Sequence, residues 1–301
     1  MAASAIVSAA DVRDAFTIGV LRRDGVVVPF ASFDGRSWSS RWPEPSLDLT
    51  IPVDVGSVPR GWWGPVGPID TWQAWIGAAP PRTLHVVQPD WIDVQCTRQV
   101  GLRTDYRPDR LPASPAEQPY PKDGLVISPP HPIERVDVIA INPAAPNADV
   151  TAMSEELLAA FNRAERVTAS KYSHPAEASL RERATPTVDA LYAYGSEPRV
   201  FYVEAVRQYQ IVASGECVAM AFGTGWLVRE NGKFRTLAMA VDVLDCNRSG
   251  ASYMLPLGVI RSGTRLFWIV QFSGFDHERY AVIEPRAKRV DAVLSVWGGG
   301  C

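Results

Sequence analysis

Apolar and polar residues alternate with a period of two over much of this chain, which is the pattern of half-buried β-strands. Residues 16–35, FTIGVLRRDGVVVPFASFDG, predict a strand, a tight turn at Asp24-Gly25 and a second strand. Asp-Gly readily adopts the positive φ values that such turns require. TLHVV and WIDVQCTRQVGLRTDY, rich in β-branched and aromatic residues, predict further strands. Beyond Gly195 the alternation is nearly continuous. RVFYVEAVRQYQIV, CVAMAFGTGWLV, KFRTLAMAVDVLDC, YMLPLGVI, TRLFWIVQF, RYAVIEP and RVDAVLSVW are seven strand candidates separated by short turn signals. Short connections imply an antiparallel meander, which curls into a barrel or folds as a sandwich.

Two regions break the pattern. Between Arg107 and Asn147 prolines crowd the chain, removing backbone donors and blocking helix, with IERVDVIAI as one strand-like island. The period then changes to that of a helix over SEELLAAFNRAERVTASK, with Ser154 as cap and Leu157, Phe161, Ala164 and Thr168 on one face. A second helical piece is expected from Pro175 to about Arg183, and Thr185-Pro186 as the opening of a third. The expected fold is mainly β with one or two helices. An irregular Trp/Pro-rich β-domain (residues 1–147) is followed by a helical connector (148–195) and an antiparallel β-meander domain (196–301).

One hairpin carries a covalent expectation. Cys217 lies fourteen residues before Asn231, and Cys246 fourteen after Gly232. A two-residue turn on Asn231-Gly232 therefore sets the cysteines opposite each other, at a non-hydrogen-bonded pair where side chains approach most closely. A disulfide is expected there. The same register gathers Val218, Met220, Phe222, Trp226 and Val228 with Leu237, Met239, Val241 and Val243 on one heavy face. Ala219, Ala221, Gly223 and Gly225 fall on a bare face, against which a helix, another backbone or a ligand could lie. A stable disulfide implies an oxidising compartment, so a periplasmic or secreted location is favoured over the cytoplasm. For Cys96 and Cys301 the spacing fixes no pairing.

Composition narrows the partners. A net charge of -3, with no dense Lys/Arg run, gives no bulk attraction to nucleic acid. No stretch is long and apolar enough for a membrane helix, so membrane insertion is not expected. Only four of the 30 basic residues are lysine, a bias associated with GC-rich bacterial genomes.

Candidate chemistry is sparse. Nucleophile-elbow, zinc-protease, phosphate-loop and EF-hand motifs are missing from the sequence, and the four histidines are scattered, so neither metal nor cofactor is implied. SGFDHERY places Asp276, His277 and Glu278 in a loop where a carboxylate and an imidazole could do acid–base work. Residues 36–91 hold seven of the ten tryptophans. Among them Trp62, Trp63, Trp72 and Trp75, with Asp70 and Gln73, could form an aromatic platform for a carbohydrate or a protein partner. Two functions are expected from these features. The first is a non-enzymatic extracytoplasmic binding or assembly protein; the second is a hydrolase acting on polysaccharide or peptide through acidic residues.

Overall fold

The computed structural model describes residues 14–40, 70–77, 79–94, 96–108, 122–142, 144–145, 147–210, 217–274 and 277–300. The chain divides into two compact units. Unit 1 comprises residues 1–134, 257–283 and 292–301; unit 2 comprises 135–256 and 284–291.

In unit 1, β1 (Ala15–Arg22), β2 (Val26–Asp34), β4 (Thr71–Ile76), β5 (Arg82–Val94), β6 (Thr97–Thr104) and β7 (Lys122–Ser128) pair in the order β1-β7-β4-β5-β6-β2. Since β1 also pairs with β2, the sheet closes into a six-stranded antiparallel barrel. β3 (Trp38–Ser39) extends β2 outside the ring. Gly25, at φ 86°, makes the expected β1–β2 turn.

Two apolar clusters lie on the two faces of the barrel wall. Leu21, Val27, Trp72, Ala74, Leu84, Leu102 and Val126, drawn from all six strands, fill the interior. Phe16, Ile18, Val20, Val28, Phe30, Leu125 and Ile127 point outward. They pack against Ile260, Phe267, Ile269, Tyr280 and Val282 of a second sheet. That sheet runs in the order β13 (Tyr253–Ser262), β14 (Arg265–Ser273), β15 (His277–Pro285), β16 (Val290–Gly300). Burial on both faces explains why VVVPFASF reads as a nearly unbroken apolar run.

Unit 2 is built on a sheet of order β12-β11-β10-β9-β8, from β8 (Asp137–Val138), β9 (Thr187–Tyr194), β10 (Arg199–Gln210), β11 (Cys217–Glu230) and β12 (Lys233–Leu244). Helix α1 (Ala148–Lys171) covers one face through Met153, Leu157 and Phe161, and the short α2 (Ala178–Arg183) follows it. The helix starts six residues before Ser154, because Asn147 is the cap and its side chain accepts the Asp149 N–H at 2.8 Å. Ser154 instead donates back to the Thr151 carbonyl inside the helix. Thr185-Pro186 opens no third helix; β9 follows it.

The expected hairpin forms, and so does its cross-link: Cys217–Cys246 has a Cα separation of 6.0 Å. The register differs from the simple count. Pairing runs as expected from Glu230↔Lys233 to Leu227↔Thr236, but the next pair is Trp226↔Ala238. Leu237 is an extra residue in β12, a bulge that moves every later pair by one. The two cysteines therefore lie beyond the last β11–β12 pair, Met220↔Leu244, and Cys217 pairs with Gln210 of β10. The bulge also carries Met239 and Val241 to the bare face, where they lie against Gly225 and Gly223. What covers that face is α1: the Phe161 ring sits directly over Gly223.

Candidate functional site

The tryptophan platform is not assembled among the described residues. Trp72 is 1% exposed inside the barrel, where it cannot stack on a ligand. Gln73 and Trp75 are half-buried, Trp75 lying on the opposite face of β4 against the outer cluster. Asp70 is exposed just before β4. Trp62 and Trp63 lie outside the described residues.

Asp276 also lies outside them, while His277 and Glu278 begin β15 and diverge. His277 stacks on Trp297, centroids 5.7 Å apart. Glu278 is buried, and Lys122 Nζ donates to both its oxygens at 2.5 and 2.8 Å. Gln271 Nε2 donates at 2.8 Å and the Tyr280 hydroxyl at 3.3 Å. Burial pulls the Lys122 ammonium below the ordinary lysine value, and Glu278 partly offsets this. Both oxygens of this carboxylate are engaged, in the manner of a structural ion pair within unit 1. Beside it, Asp123 accepts from Arg23 Nε (2.8 Å) and from the Tyr106 hydroxyl (2.7 Å). Burial, then Asp123, pushes the Tyr106 phenol up to about 12.

Unit 2 holds charged groups that alternation alone does not reveal. Beneath α1, Arg207 donates to Glu165 at 2.6 Å and to Asn162 at 2.7 Å, and the Tyr209 hydroxyl donates to the other Glu165 oxygen. His174 stands 3.4 Å from the same carboxylate; burial, then Arg181, lowers its pKa. This network fastens the helix to β10.

On the opposite face Glu204 is 2% exposed and accepts the Met254 N–H at 2.7 Å. Burial, reinforced by Asp189, raises its pKa to about 7 against the Met254 hydrogen bond. Asp189 is an extra residue where the β9–β10 register slips between Ala190 and Val188. Its side chain accepts from Arg248 at 2.7 Å, and Arg248 itself holds a left-handed φ of 61°. Around Glu204, Tyr202 stacks with Tyr192 and meets Trp226 edge-on. The Tyr202 hydroxyl is within reach of Glu204 and Thr224, with no well-formed hydrogen bond to either. One signal for this group was available: Glu204 occupies an in-pattern position at the centre of the apolar strand FYVEAV.

A groove of about 840 Å³ lies between α1 and β12. It is lined by Ala164, Val167, Thr168, Lys171 and Tyr172 on the helix side and by residues 239–244 on the strand side. Val167 and Tyr172 are 54% and 71% exposed, large apolar groups left in water. Among the described residues no cluster of His, Cys, Asp or Glu could hold a metal ion. Nor, among the described residues, does any helix have the length and apolarity to cross a membrane. Comparison with family models, with curated proteins and with solved structures finds no match.

Proposed function

We propose that this is a non-enzymatic binding or assembly protein that works outside the cytoplasm, with a protein partner seated on unit 2. The observation that carries the reading is the α1–β12 groove. It offers exposed apolar side chains and strand backbone, with a single carboxylate, Asp242, in its lining. The acids Glu165 and Glu278 are held in closed ion networks, which suits a scaffold. The Cys217–Cys246 bridge supports a periplasmic or secreted location, since such bonds persist in oxidising compartments. The lysine-poor composition supports a bacterial source.

One observation favours a hydrolase as the second reading. Glu204, with a pKa near 7, stands beside Asp189, which Arg248 engages; a buried carboxyl that holds its proton near neutral pH suits general acid chemistry. A single comparison separates the readings. The protein is incubated with soluble polysaccharides and with an unstructured polypeptide, and both cleavage and retention are followed. The binding reading expects intact substrates, with retention weakened by Tyr172→Asp. Turnover that disappears in Glu204→Gln would replace it with the hydrolase.

A further inference from the structure

The outer side of β12 is the end of the unit 2 sheet, and no strand among the described residues pairs with it there. Hydrogen-bonded and non-hydrogen-bonded pairs alternate outward from the turn, and the bulge at Leu237 resets the count. The outward-pointing N–H and C=O groups beyond the bulge then belong to Met239, Val241 and Val243. Two side-chain contacts agree with this phase. Glu156 accepts the Thr236 N–H at 3.1 Å, and Thr168 Oγ1 donates to the Val241 carbonyl at 2.6 Å. Helix α1 thus blunts the edge at two points. The remaining outward groups of Met239, Val241 and Val243 meet no partner among the described residues.

These open groups border the groove. A strand laid along them would direct alternate side chains at the helix wall of Ala164, Val167, Thr168, Lys171 and Tyr172. The only charge on that wall is Lys171, which is exposed and makes no ion pair among the described residues. Asp242 pairs with Phe222, whose side chain points to the opposite face from α1, so its charge does not compensate Lys171.

Building on the binding reading above, we propose that this edge takes an extended peptide by strand addition. The peptide carries apolar side chains at every second position and a carboxylate in the same alternation opposite Lys171. Main-chain hydrogen bonds to Met239, Val241 and Val243 supply affinity, while Val167, Tyr172 and Lys171 supply selectivity.

The probe is a phage-displayed library of random octapeptides selected on the full chain. Enriched sequences should alternate apolar residues and place an acidic residue in that alternation, and selection on Lys171→Glu should exchange acidic for basic. A synthetic winner should slow amide hydrogen exchange at Met239, Val241 and Val243. N-methylation of its backbone at alternate positions should weaken binding at least about tenfold, the equivalent of one or two hydrogen bonds. A failure to enrich any peptide overturns the inference, as do winners indifferent to N-methylation. So does protection of these amides that rises with protein concentration alone, which would identify a second copy as the occupant. Winners that protect residues elsewhere remove the edge as the site and leave the binding reading standing.

Discussion

The ring of Phe161 in α1 closes on the backbone of Gly223 in β11: a Cβ built on that glycine would meet the ring carbon Cε2 at 2.5 Å. Gly223→Ala must therefore displace the helix or the strand, at about 1–3 kcal/mol, the usual range for overpacking. Urea unfolding measures it. Gly232→Ala, where an added Cβ meets nothing but φ is 72°, is the control that separates crowding from turn strain.

In unit 1 the pair to break is Lys122 and Glu278. Lys122→Met leaves a buried carboxylate with Gln271 and Tyr280 as its remaining donors, and should cost about 3–5 kcal/mol. Adding Glu278→Gln should recover much of that loss. Denaturation of the two single variants and the double variant gives the coupling directly.

Alternation along the chain revealed the strands and the Asp24-Gly25 and Asn231-Gly232 turns, because period and turn chemistry are local. Barrel closure was not legible, since β1 and β7 meet across about a hundred residues and nothing near either announces the other. The Leu237 bulge was hidden for another reason: Met239 and Val241 are apolar and suit either face. The disulfide survived that error because the cysteines lie past the ladder, where a one-residue shift still leaves their Cα atoms in bonding range. Asn147 was hidden among prolines, and Ser154, preceding Glu155 and Glu156, made the more familiar cap. Glu165 and Arg207 needed the fold itself, and Glu204 showed only as a charge inside an apolar strand, since the partners of all three lie on other elements.

Glu204 sets a pH dependence. Its folded pKa, near 7, lies above the ordinary carboxyl value, so the folded state holds the proton more tightly than the unfolded chain. Its contribution is fully favourable below about pH 4.5 and fades as pH rises toward 7. Above that both states are ionised, and the loss of about 3 kcal/mol is complete. Stability measured in urea between pH 5 and 8 should fall with pH in the native protein and flatten in Glu204→Gln.

Reduction should weaken unit 2. Cys217 and Cys246 are 29 residues apart, and opening a loop of that size costs about 3.6 kcal/mol in the chain-entropy model. Cys96 is disulfide-bonded as well, so thermal unfolding with and without dithiothreitol should show a difference that Cys217→Ser reduces by the share belonging to the Cys217–Cys246 bridge.

The central claim is that unit 2 engages a partner through the groove beside Tyr172. Placing a photo-crosslinking amino acid at position 172, and separately at the exposed Val138 of β8, and irradiating cells that make the protein tests this most directly. The account predicts a discrete protein adduct from position 172, lost on adding Val167→Glu, with none from position 138. No adduct at 172, or equal adducts from both positions, would contradict it.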